Sequence, residues 1–230
     1  AIAHGAAAVG DLLHGAAALD RHFAEAPADR NLPLLLGLLG LWYVNFCGCR
    51  TRAVMPYAQR LRYLPAYLQQ LEMESNGKRV GRDGAPLEYD TSPVVWGEAG
   101  TTAQHSVFQL LHQGTFFSPV DFVTCAAFAQ SAEPRERLLY ANALAQADAL
   151  ALGEAALKPA GKAKPRYAVV PGNRPSTFIT LPRIDAFSVG ALLALYEHRT
   201  FVQGVVWQIN SFDQWGVEIG KQLLQQRLAD

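Results

Sequence analysis

Four short apolar runs decide most of what this chain can become. They read TRAVMPY (51–57), PVVWG (93–97), VDFVTCAAF (120–128) and STFITL (176–181). Stretches with helical spacing separate each run from the next. Strands buried on both faces appear as near-continuous apolar runs, because neither side meets water. Strand and helix alternating in this way predict an α/β fold, with a mostly parallel sheet flanked by helices.

The helical stretches are legible from their spacing. Val9, Leu12, Leu13, Ala16 and Leu19 lie near one face of a first helix. APADRNLP (26–33) ends it, and the apolar run at 32–47 predicts a buried core helix stopping near Gly48. Further helices are expected over 61–75, closed by Asn76-Gly77, over 101–113, and over 135–157, where an apolar stripe is expected. Residues 185–209 predict a long buried helix, and the tail from 212 reads as polar and then helical. Residues 77–93 form a turn-rich segment suited to a hairpin, and 161–166 an exposed loop.

Charge and cysteine usage narrow the function. Twenty Lys and Arg balance twenty Asp and Glu, so the basic footprint of a nucleic-acid binder is absent. The local basic stretch with Arg50, Arg52, Arg60 and Arg62 reads as solvated or interface surface. Three cysteines, Cys47, Cys49 and Cys125, make no disulfide framework; they read as buried structural thiols of a reducing compartment, so a cytoplasmic location is expected. No signal peptide is seen. The run at 32–47 is shorter than the ~20 residues of a membrane span, so no membrane partner is expected. His105 and His112 stand seven apart without a ligand-spaced partner and read as satisfied structural histidines rather than a metal site.

One carboxylate stands out. Glu98 directly follows the run at 93–97 and precedes a helical pattern. In open α/β sheets, ligands bind at the carboxyl ends of strands. A lone acid there is either a helix cap or a catalytic group, and Thr101 or Thr102 could cap instead.

Three stretches carry a family resemblance: SPVVWGEAGTTAQHSVFQLLHQGT (92–115), GNRPS (172–176) and GVVWQINSFDQWGVEIGK (204–221). LEMESNGK (71–78) and ALYEH (194–198) are similar too. Together they resemble the glucose-6-phosphate isomerases, enzymes of glycolysis and gluconeogenesis that interconvert glucose 6-phosphate and fructose 6-phosphate through a cis-enediol. The resemblance implies an SIS-type three-layer sandwich, a sugar-phosphate substrate, a homodimer with shared sites, and neither cofactor nor metal. Glu98 matches the family's catalytic base. A Glu starting near pKa ~4.3 is expected to be raised by partial burial towards useful basicity. Lys221 matches the lysine that helps open the cyclic sugar, and Gln214 matches a substrate-contacting residue whose other role would be a polar cap.

The chain also departs from the family. A catalytic histidine is expected about thirty residues after the base, yet that segment reads VTCAAFAQSAEPRERLL, and a frequent His-His pair is replaced by Arg135-Glu136. Family chains are more than twice as long, and their Ser/Thr phosphate loop and Gly-Gly-Arg motif lie upstream of the matching part. Residues 1–230 are therefore expected to correspond to the carboxy-terminal SIS domain, with the first SIS domain missing. A non-catalytic sugar-phosphate-binding or structural SIS module is the alternative.

Overall fold

The computed structural model describes residues 4–157 and 165–229. Four parallel strands form one sheet: β1 (Thr51–Pro56), β2 (Val94–Gly97), β3 (Val120–Cys125) and β4 (Ser176–Leu181). Their order is β2-β1-β3-β4, so β2 is an edge. All four predicted strands form, but Val94 is exposed, because an edge strand is covered less completely than a buried one. The third strand ends at Cys125, where a 3-10 turn over Ala126–Gln130 takes over.

Alternation along the strands sorts the core into two layers. Ala53 and Met55 of β1, with Val120 and Phe122 of β3, face α5 (Phe108–Gln113) and α6 (Pro134–Leu152) through Phe108, Leu111, Ala143 and Leu150. Val54 and Val123 face the other way, against Leu192, Leu195 and Tyr196 of α7 (Ala186–Val206) and Leu64 and Leu68 of α3 (Leu64–Leu68). Two further helices, α1 (Gly5–Glu25) and α2 (Leu32–Leu41), pack on α7. The result is helix, sheet, helix, as expected. Each fully buried Phe, Leu or Met side chain contributes roughly 1.5–3 kcal/mol. Local chemistry starts two helices: Asn31 Oδ1 accepts from the Leu34 amide at 3.2 Å, and Asp185 Oδ1 from the Ser188 amide at 2.9 Å.

Several expectations need correction. The apolar run at 32–47 is not a fully buried helix. It continues past α2 as a π-helical turn over Trp42–Phe46, and Leu35, Leu38, Trp42 and Phe46 are exposed. The helix expected over 61–75 starts as α3 and becomes π-helical over Gln69–Glu74. That expected over 101–113 is broken into α4 (Gly100–Ala103) and α5 by turns at 104–107. The helix expected over 135–157 ends at Leu152, where Gly153 takes a φ of +56°; only Ala143 and Leu150 of α6 are buried, so no broad apolar stripe is packed. The segment 77–93 holds a single antiparallel bridge, Val80 with Pro86. Most of the loop expected at 161–166 lies outside the described residues. Cys49 and Cys125 are buried thiols, whereas Cys47 is exposed.

Arg52 is the largest departure. It is not surface but 3% exposed, and its guanidinium lies between Asp121 and Glu72. Arg199 Nη1 reaches the same Asp121 oxygen at 3.2 Å, and the Tyr196 hydroxyl donates to it at 3.2 Å. Two cations and two carboxylates thus balance beneath α7. Burial opposes the charge on Arg52, but the adjacent carboxylates hold it above the ordinary arginine range.

Candidate functional site

Glu98 leaves the sheet at the carboxyl end of β2. Two glycines make that path possible. Gly97 has a φ of +155°, and a Cβ there would lie 1.9 Å from the Val54 carbonyl oxygen. At Gly100, a Cβ would lie 2.1 Å from the Tyr57 ring. Any larger residue at either place would push the Glu98 segment off β1. Tyr57 is fully buried, which pushes its hydroxyl up to about 12, and that hydroxyl accepts from Gln104 Nε2 at 2.9 Å.

The Glu98 side chain is exposed, so the expected partial burial is absent from this chain. Its Oε2 accepts from Ser106 Oγ at 3.3 Å. The N-cap of α4 is Ala99, with no side-chain capping bond. The carboxylate is therefore not spent on capping α4. Beside it, Gln59, Gly100, Thr101 and Arg135 help line a cavity of about 370 Å³ at the ends of β1 and β2.

Gln214 and Lys221 lie on the segment after α7. Gln214 is exposed at the start of a 3-10 turn (Trp215–Val217) and makes no capping bond there. It lines two adjacent cavities, of about 310 and 620 Å³, both also bounded by Glu74 and Asp213. Lys221 stands in the first turn of α8 (Glu218–Ala229), a helix without buried residues. Its Nζ lies 2.7 Å from Glu218 Oε1, an exposed pair worth ~0–1 kcal/mol. Among the described residues neither Gln214 nor Lys221 is bonded to Glu98, so the three do not converge by direct contact.

His105, in the turn between α4 and α5, is exposed, and His112 Nε2 lies 2.8 Å from Gln146 Oε1 while its Nδ1 has no partner. The expectation of satisfied structural histidines thus holds for one nitrogen of His112 and not for His105. No cluster of three or more His, Cys, Asp and Glu able to hold a metal ion occurs among the described residues. No helix among them is long and apolar enough to cross a membrane. Sequence reasoning read Asn76 only as closing the helix over 61–75 and gave Lys78 no role, yet the two hold Ser211 and Asp213 beside Gln214. Their appearance in a stretch shared with the resembled family was the available signal.

Comparison with known proteins gives consistent results. A family model described as "Phosphoglucose isomerase" matches residues 1–230. A "Glucose-6-phosphate isomerase" of Methylibium petroleiphilum is 51% identical over 251 residues, spanning 99% of this chain and 46% of that protein. One from Albidiferax ferrireducens is 56% identical over 223 residues, spanning 97% and 41%. Among solved structures, a glucose-6-phosphate isomerase from Chlamydia trachomatis superposes with a TM-score of 0.86 at 40% identity, over 96% of this chain and 43% of its own. The chain spans less than half the length of each of these relatives.

Proposed function

From the premise that this chain belongs to the phosphoglucose isomerase family, we propose that it forms the carboxy-terminal SIS domain of an isomerase interconverting glucose 6-phosphate and fructose 6-phosphate. Glu98 acts as the base. Its carboxylate takes the proton from C2 of the open-chain sugar, giving an enediolate that becomes the cis-enediol as O1 gains a proton; the base then returns its proton to C1 as O2 loses its own. Carbon 2 is oxidised as carbon 1 is reduced, so the sugar is its own redox partner. Lys221 assists opening of the cyclic sugar, and Gln214 contacts the substrate.

One observation carries this reading. Glu98 stands at the carboxyl end of a parallel strand, on a path only two glycines permit, and it caps nothing. Both Glu98 and Lys221 are exposed in this chain. The proposal therefore includes enclosure: an upstream SIS domain and a second subunit close over them and exclude water. A closed, water-poor site would strengthen the charge interactions of the base and its enediolate.

The test is to follow glucose 6-phosphate by NMR in deuterated buffer with the complete polypeptide. Formation of fructose 6-phosphate, with deuterium entering C2 of the glucose 6-phosphate that returns, is expected. Saturable binding with neither outcome would instead assign a non-catalytic sugar-phosphate-binding module.

A further inference from the structure

The segment that carries Gln214 is held in an unfavourable backbone conformation. Phe212 has a φ of +68° and Gln208 a φ of +56°, both in the left-handed region that non-glycine residues seldom occupy. Such residues persist only where their surroundings over-determine them. Around Phe212 the surroundings are the Asn76-Gly77-Lys78 turn, which bonds the residues on either side of Phe212. Ser211 Oγ donates to Asn76 Oδ1 at 2.5 Å, and Asn76 Nδ2 donates to the Thr200 carbonyl at 2.9 Å. Gly204 makes room for this, since a Cβ there would lie 1.9 Å from Ser211 Oγ.

Lys78 completes the grip. Its Nζ donates to the carbonyls of Glu74 at 2.7 Å and Asp213 at 2.8 Å, and lies 3.3 Å from Asp213 Oδ1. Of the three ammonium hydrogens, two are committed to these carbonyls, and the Asp213 carboxylate pairs with the charge. The amine is thus occupied with the residue immediately before Gln214, although Lys78 lines the same 620 Å³ cavity as Gln214.

We propose that Lys78 is a positioning residue for Gln214: it fixes Asp213 by carbonyl and carboxylate, and so sets where the Gln214 amide meets the sugar phosphate. This rests on the reading of Gln214 as a substrate contact. The complete enzyme is tested as wild type, Gln214→Ala, Lys78→Met, Lys78→Arg and the double variant Lys78→Met/Gln214→Ala, with KM and kcat for glucose 6-phosphate and a melting temperature for each. Gln214→Ala and Lys78→Met are each expected to lower kcat/KM about tenfold, since a misplaced contact costs nearly as much as a lost one. In the Gln214→Ala background, Lys78→Met should add less than about twofold, and Lys78→Arg should recover part of the loss. If Lys78→Met does not fold, Lys78→Gln carries the same comparison. Multiplying effects, or a Lys78→Met enzyme within twofold of wild type beside an impaired Gln214→Ala, would overturn the role of Lys78 alone. A silent Gln214→Ala would overturn the reading of Gln214 and this inference with it.

Discussion

Arg52 sits between two carboxylates supplied from 20 and 69 residues away, Glu72 and Asp121. Glu72 is 1% exposed, so losing its charge leaves a buried guanidinium short of a partner. Breaking a buried pair on one side typically costs 3–5 kcal/mol, because the survivor stays desolvated. Glu72→Gln is therefore expected to destabilise by about 3–5 kcal/mol, or roughly 6–20 °C in melting temperature. A calorimetric loss below about 1 kcal/mol would mean that the remaining contacts of Arg52 suffice. This cluster was hidden in the sequence for a physical reason. Arg52 falls in a run of arginines that looks solvated, and its partners are remote in the chain. The partial signal was the two-residue period, which puts Arg52 on the same face as Val54. The position of Glu98 at a strand end was legible because its signal is local: an apolar strand, a glycine and an acid in succession.

The element with the clearest local start is α7. The Ser188 amide bonds the Asp185 carboxylate and holds it below the ordinary range, with Ser188 hydroxyl and Arg183 contributions in the same direction. A carboxyl group held low when folded stabilises the fold above its unfolded value of ~3.9. That contribution is lost as pH falls through the lower, folded value. Asp185→Ala should cost ~1 kcal/mol near pH 7, and its gap from wild type should close below about pH 4. Urea midpoints across that range measure the gap; a gap unchanged down to pH 2 would mean that packing, not the cap, sets the loss. The apolar run of α7 was readable in advance, whereas its Asp185 cap was not read from the sequence. The breaks in the helices at 61–75 and 101–113 were not readable, because π-helical turns and the Gln104–Val107 interruption follow tertiary packing rather than a Gly or Pro.

At the scale of the molecule, an apolar face lies open on α2 and its continuation. Leu35, Leu38, Leu39 and Trp42 are exposed along α2 and its continuation, and Trp42 stacks on Phe46 at 5.0 Å. An apolar surface of this kind marks an interaction face or an aggregation risk. We propose that the upstream SIS domain covers it in the complete enzyme. Residues 1–230 produced alone should then associate, and Leu38→Lys with Trp42→Lys should reduce that association by sedimentation. A chain that sediments as a monomer with this face intact would sink the idea. The central claim is narrower, and exchange at C2 tests it most directly. In the complete enzyme, Glu98→Gln keeps the side chain's shape and removes its basicity. The rate at which the C2 proton of glucose 6-phosphate exchanges with deuterated solvent should fall by roughly 10² to 10⁴ or more, with substrate binding kept within several-fold. Unchanged exchange in Glu98→Gln would show that another group moves the proton.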